Sequence, residues 1–169
     1  QPASVDLHLG ADFLVFRTHK DVCIDPKNPI EYLKDKVTIN DDKQFIIHPG
    51  EFALGMTYEV TGVANDMVGR LEGKSSIGRM GLIIHATAGY LDPGNKLKMT
   101  LELHNVSTLP IKLYYKMPIA QMSFSPLSSS AERPYNKKRF GAKYYGNMKP
   151  KASQYWKNFT QNNDWIKFK

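Results

Sequence analysis

Phe45-Ile46-Ile47-His48-Pro49-Gly50-Glu51-Phe52-Ala53-Leu54-Gly55 decides the class of fold. An apolar triplet stops at Pro49-Gly50, and a second apolar run restarts at Phe52 after a single glutamate. Runs this short, bounded by turn residues, read as strand, turn, strand. Working toward the N-terminus, residues 20–43 are polar, carry Pro26, Pro29 and Asp41-Asp42, and read as a long loop or an excursion. Before them, Phe13 to Phe16 is a short apolar run, and Val5, Leu7 and Leu9 alternate with polar residues into Gly10, as a half-buried strand does. Toward the C-terminus, further runs stand at Met80–Ala86, Lys98–His104, Ile111–Tyr115 and Ile119–Phe124, punctuated by Asp92-Pro93-Gly94 and Leu109-Pro110. Only residues around 64–80 have room for a helix, and Gly69, Gly73 and Gly78 weaken it. Many short strands with close turn signals predict a mainly all-β chain, a distorted β-barrel or jelly-roll-like sandwich with one short helix.

The chain has 169 residues, enough for one domain with one core. Its single cysteine, Cys23, excludes a disulfide framework and any multi-cysteine metal site. No apolar run approaches the roughly 20 residues of a membrane helix, so no membrane partner is expected. The opening residues lack a secretory pattern, and a cytoplasmic setting is expected. Because the chain opens at Gln1 rather than Met, a piece preceding Gln1 is expected as well. The net charge of +7 is unevenly placed. Residues 1–132 hold 13 basic and 15 acidic side chains, whereas residues 133–169 hold 10 basic and 1 acidic. That second segment also carries 9 of the 19 aromatic residues, among them Tyr135, Phe140, Tyr144, Trp165 and Phe168. The division predicts a β core over 1–132 and a basic, aromatic C-terminal segment over 133–169 within the same domain. Composition ranks a solvated or docked tail first, a lid over a small phosphorylated ligand second, and polymeric nucleic acid last, because the body is slightly acidic.

The common catalytic patterns are absent. One cysteine cannot supply the P-C-x-x-C half of a zinc nucleoside deaminase, and the five histidines show no H-E-x-x-H spacing. No G-x-G-x-x-G, P-loop or G-x-S-x-G occurs. Gly73-Lys74-Ser75-Ser76-Ile77-Gly78-Arg79 does gather backbone N–H groups, two hydroxyls and two cations, which suits phosphate oxygens, although a polar turn has the same composition. Glu102 lies in Met99-Thr100-Leu101-Glu102-Leu103, on the face opposite Leu101 and Leu103. On an exposed face it is an ordinary solvated glutamate; on a face lining a cleft it is a candidate general acid/base. Alternation alone leaves both readings open.

The order of these pieces says more than any one of them. Gly73–Arg79, then His85-Ala86-Thr87-Ala88-Gly89-Tyr90-Leu91-Asp92-Pro93-Gly94, then Thr100–Asn105, then Pro118-Ile119-Ala120-Gln121 resembles the dCTP deaminase/dUTPase superfamily, and the resemblance runs from Gln1 to about Ser153. Leu101-Glu102-Leu103 and Ala131-Glu132-Arg133-Pro134-Tyr135 look like the deaminase branch, in which Glu102 stands where plain dUTPases carry an apolar residue. Thr87-Ala88-Gly89 looks like the bifunctional, dUMP-forming deaminases, whereas those that stop at dUTP usually have His at the position of Gly89.

The resemblance implies a dUTPase-like fold and zinc-independent deamination of dCTP coupled to diphosphate hydrolysis, giving dUMP, ammonia and pyrophosphate. The alternatives are a deaminase stopping at dUTP and an impaired nucleotide-binding regulator. It implies Glu102 as general acid/base, Ser75 and Arg79 as the groups that position the water, and Asp92 as the partner of the deoxyribose 3′-hydroxyl and an activator of the second water. It further implies Ala86, Thr87 and Ala88 as backbone readers of the pyrimidine, and Lys74, Ser76, Tyr135 and Lys143 as triphosphate contacts. Tyr90, Gln121 and Asn147 complete the substrate contacts. Mg²⁺ would ride on the triphosphate, with no protein metal site and no zinc. A homotrimer with sites between subunits and dCTP or dUTP as ligand are implied too, and the tail becomes a lid. Departures from the family pattern fall at Asn95 and Leu97, after Asp92-Pro93-Gly94, and at Asn147, Lys149 and Lys151 in the tail.

Overall fold

The computed structural model describes residues 3–16, 23–31, 34–87, 89–136 and 142–160. In chain order the elements are β1 (Val5–His8), β2 (Asp12–Phe16), β3 (Lys34–Thr38), β4 (Phe45–Ile47), β5 (Phe52–Met56), β6 (Thr61–Gly62), β7 (Met67–Gly73), α1 (Ser75–Gly78), β8 (Leu82–Ile83), β9 (Tyr90–Leu91), β10 (Lys96–Leu97), β11 (Thr100–Asn105), β12 (Ile111–Leu113), β13 (Pro118–Pro126) and α2 (Lys157–Thr160). One sheet has the order β3-β2-β5-β11-β8 and another β1-β13-β7-β9, while β10-β6 and β12-β4 form separate ribbons. Every pairing among them is antiparallel. The mainly β expectation holds. Among the described residues, however, the strands form four separate sheets rather than a closed barrel.

The inward positions of these strands make one core. Leu9, Ile47, Leu91, Leu101, Leu103, Leu113, Ile119 and Met122 are fully buried, and Phe13 stacks on Phe45 with ring centroids 4.4 Å apart. Each such side chain contributes about 1.5–3 kcal/mol by leaving water. β11 shows the pattern most clearly: Leu101, Leu103 and Asn105 point into the core while Thr100, Glu102 and His104 take the other face.

The structure refines three local expectations. The strand-turn-strand at 45–55 is real, but its two strands do not pair with each other. β4 pairs with β12 and β5 with β11 and β2, so Pro49-Gly50 is a crossing between sheets. The polar stretch 20–43 is not all loop, because Lys34–Thr38 adds an edge strand to β2 through β-branched Val37 and Thr38. The helix expected within 64–80 shrinks to one turn, since β7 runs on to Gly73 in a seven-residue ladder with β13. The turn α2 in the tail had no counterpart in the expected pattern.

Candidate active site

The face of β11 that carries Glu102 lines a cavity of about 690 Å³, together with Tyr90, Asp92, Asn95, Thr100 and Tyr135. That resolves the ambiguity left by alternation: Glu102 faces a cleft. Its Oε2 accepts hydrogen bonds from the backbone N–H of Ala86 at 2.8 Å and of Thr87 at 3.0 Å. The Glu102 N–H in turn donates to the carbonyl of Ile84 at 3.0 Å, so the strand and the 84–87 segment hold each other. His85 Nδ1 lies 3.8 Å from the same Oε2. The amides expected to meet a pyrimidine are therefore directed at the carboxylate in this state. Ala88 lies outside the described residues, as do Phe140, Trp165 and Phe168.

Asp92 owes its place to a turn. Asn95 N–H donates to the Asp92 carbonyl at 2.9 Å, with Pro93 and Gly94 between them and Gly94 at φ 74°. Pro followed by a residue of positive φ is a type II turn, which Gly alone adopts without strain. The turn puts both Asp92 and Asn95 on the cavity wall. Asn95 is buried, and its Oδ1 has no partner. Tyr135 is tied to the same turn, its N–H donating to the Pro93 carbonyl at 2.8 Å. Burial raises the Tyr135 phenol above its ordinary range, helped by the Asp92 charge, while backbone hydrogen bonds from Tyr144 and Lys143 pull the other way. Tyr90, at the cavity edge, takes a hydrogen bond from the Arg70 guanidinium, which also lies 5.0 Å from its ring centroid.

The tail docks beside this cavity. Lys98 N–H donates to the Asn147 carbonyl and Gly146 N–H to the Lys96 carbonyl, both at 2.9 Å. Gln154 bridges to the Tyr144 hydroxyl and the Lys143 carbonyl, each at 3.0 Å. Tyr144, Lys151 and Ser153 reach the cavity wall, whereas Lys143 donates to Asn158 and neither it nor Asn147 lines the cavity. The Asn147 Nδ2 is buried without a partner.

The remaining expected residues sit elsewhere. Lys74 and Ser75 line a second hollow of about 250 Å³ with Gly73, Ile84 and His85. Lys74 Nζ donates to Asp6 Oδ1 at 2.7 Å, and that bond holds the Asp6 carboxyl below its ordinary value. Ser75, Ser76 and Arg79 are exposed on and after α1. Gln121 lies on β13 between Asp6 of β1 and Glu72 of β7, its Oε1 accepting from Ser4 at 3.3 Å. On one chain the structure thus gathers Glu102, Asp92, Tyr90 and Tyr135, with Ala86 and Thr87 behind Glu102. Lys74 and Ser75 line the smaller hollow instead, and Ser76, Arg79 and Gln121 line neither. Lys34, which lines the cavity, carries no signal in the sequence, because a lysine in a polar stretch reads as solvated; Lys151, one of the departures in the tail, lines it too. Among the described residues no three His, Cys, Asp or Glu side chains group as a metal site, and no helix is long and apolar enough to cross a membrane.

A family model for dCTP deaminase-like proteins matches residues 1–127. The chain belongs to the dCTP deaminase-like family. Among curated relatives in this family, the dUMP-forming dCTP deaminase of a Nocardioides species is 49% identical over 159 residues, which cover 94% of this chain and 83% of that protein. That of a Parafrankia species is 48% identical over 161 residues, covering 95% and 80%. Among solved structures, the 2′-deoxycytidine 5′-triphosphate deaminase of Agrobacterium tumefaciens shares the fold, with a TM-score of 0.58 at 21% identity over 73% of this chain. This chain spans 39% of the length of that one.

Proposed function

We propose that this member of the dCTP deaminase-like family hydrolyses dCTP to dUMP, ammonia and pyrophosphate; its curated relatives are named dUMP-forming dCTP deaminases. The observation that carries the reading is Glu102: a carboxylate on the cavity face of β11, its Oε2 fixed by two backbone N–H groups. In the first step a water oxygen bonds to C4 of cytosine while Glu102 takes its proton. Glu102 passes that proton to the ring N3 and then carries the proton of the new C4 hydroxyl to the amino group, which leaves as ammonia as the C4–N bond breaks and C4=O forms, and the base becomes uracil. Ser75 and Arg79 position that water and meet the charge that develops at C4. Asp92 holds the 3′-hydroxyl, and in the second step it helps a second water attack the α-phosphorus, so that pyrophosphate leaves and dUMP remains.

Substrate contacts follow the same split. Ala86, Thr87 and Ala88 read the pyrimidine once the amides exchange Glu102 for the base, and Tyr90 flanks the sugar. Lys74, Ser76, Tyr135 and Lys143 take the triphosphate, with Gln121 and Asn147 as further contacts and the tail as lid. The nucleotide phosphates are the ligands we assign to Mg²⁺, a hard cation that keeps oxygen ligands and several waters. Because Lys74 and Ser75 open on a different hollow from Glu102, a second copy of the chain is assigned to complete each site, in a homotrimer.

Gly89 favours the dUMP product over a stop at dUTP. A Cβ there would meet the Leu71 carbonyl oxygen and His85 Nε2, each at 2.8 Å, so the histidine usual in dUTP-forming relatives has no room in this arrangement. The test is an end-point assay with dCTP and Mg²⁺, resolving dCTP, dUTP and dUMP by anion exchange. Expected is dUMP without lasting dUTP. Accumulating dUTP would remove the second step, and unchanged dCTP would replace catalysis with nucleotide binding.

A further inference from the structure

The cavity extends well past Glu102 and Asp92. β11, β5, β2 and β3 lie side by side, so three strand spacings of about 4.8 Å and a two-residue offset along β3 put Lys34 roughly 16 Å from Glu102. The floor between them is apolar, made of Leu54, Phe52 and Phe16. At the far end Lys34 is 9% exposed, its Nζ 4.6 Å from the Phe16 ring centroid, and the tail adds Lys151 and Ser153 to the same wall. Among the described residues no carboxylate forms an ion pair with Lys34. A buried ammonium without a partner is costly, and the Phe16 ring face offsets only part of that cost. Burial lowers the Lys34 ammonium to about 8, with the charge of Glu31 opposing.

We propose that this end of the cavity is an anion subsite in which Lys34, with Lys151 and Ser153 on the same cavity wall, takes a phosphate group. The nucleotide reading of the cavity bears only on where that phosphate comes from: the bound nucleotide's own chain, or free pyrophosphate. An anion beside Lys34 would supply the missing counter-charge and favour its protonated form.

Calorimetric titration of the full chain with inorganic pyrophosphate tests this. The wild type is expected to bind at pH 7, Lys34→Met to bind at least about tenfold more weakly, and Lys34→Arg to stay within roughly threefold. Methionine keeps the length of the side chain without its charge, and matched melting curves check that the variant folds. Raising the pH from 7 to 9 should weaken wild-type binding relative to Lys34→Arg, because only lysine loses its proton there. Glu31 and Lys151 near Lys34, and Asp92, Glu102, Tyr90, Tyr135 and Tyr144 elsewhere on the cavity wall, are common to both proteins, so the difference isolates position 34. In Glu102→Gln protein saturated with dCTP, exclusion of pyrophosphate would assign the subsite to the nucleotide's own chain. Continued binding would assign it to a separate anion. Absence of wild-type binding, or equal binding by Lys34→Met, overturns the subsite. Ammonia release is read separately, so a failure of the proposed reaction leaves the Lys34 result standing.

Discussion

The cavity beside β11 and the hollow beside α1 are built on different terms. In the cavity, each leading residue is held by backbone: Glu102 by the amides of Ala86 and Thr87, Asp92 by a type II turn, Tyr135 by the Pro93 carbonyl. On and just after α1, Ser75, Ser76 and Arg79 stand exposed, and among the described residues Lys74 alone of this set has a side-chain partner, Asp6. Backbone-held groups are preorganised and lose little freedom when a reaction begins. Exposed hydroxyls and cations on a short turn are poorly placed to do chemistry alone, and well placed to meet something brought to them. On the proposed reading, one chain carries a set half of the machinery and a presented half.

The largest expected effect breaks the set half. Glu102→Gln keeps the shape of the side chain and removes its ability to carry protons, so ammonia release should fall by about 10²–10⁴-fold while dCTP still binds. Deamination at the wild-type rate would take Glu102 out of the reaction. The next effect sharpens the division itself. Glu102→Gln and Ser75→Ala chains, each inactive alone, should recover activity when mixed and reassembled, with roughly a quarter of sites receiving one intact half from each chain by random pairing. Were the two halves to act within one chain, mixing would restore nothing.

Much of this was legible in the sequence because strands announce themselves by period two. β1, β2, β5, β11, β12 and β13 lie where the apolar runs predict, and Glu102 stands opposite Leu101 and Leu103 as alternation requires. What alternation cannot supply is which face is covered, since that depends on strands distant in sequence: β5 and β11 meet across more than forty residues. The same blindness hid β3, whose lysines and aspartate look solvated until β2 pairs with them, and so hid Lys34. Nor does Phe45–Gly55 say where its two strands pair, because partners for β4 and β5 are chosen by the core and not by the turn. Motif order named the candidate site residues, while the division of some of them between two hollows appeared only with the fold.

A smaller effect is expected at the joint between the halves. Gly89 accepts the Leu71 N–H at 2.7 Å, and a methyl group there would press on the Leu71 carbonyl oxygen and on His85. His85 borders the hollow and lies beside Glu102, so the segment that carries Ala86 and Thr87 must shift. Gly89→Ala should cost about 1–3 kcal/mol, lowering Tm by roughly 2–10 °C, and should reduce kcat more than it changes KM. An unchanged Tm would mean that the loop yields freely and that its hold on Glu102 is slack.

The smallest effect concerns Asp6 and Lys74, the one fixed contact of the presented half. The Lys74 hydrogen bond favours the charged carboxylate, so the folded-state pKa of Asp6 lies below its ordinary 3.8. A group whose pKa is lowered on folding contributes stability above its unfolded value and loses it as pH falls through its folded value. Wild type should therefore melt slightly above Asp6→Asn at neutral pH, by about 1–2 °C in low salt, and the two curves should converge in acid below that ordinary value. Salt should close the gap at neutral pH, because the pair is open to water and screened. A gap that persists unchanged into acid would assign the effect to packing of Asp6 in β1, and Lys74 would then be as loosely presented as Ser75 and Arg79.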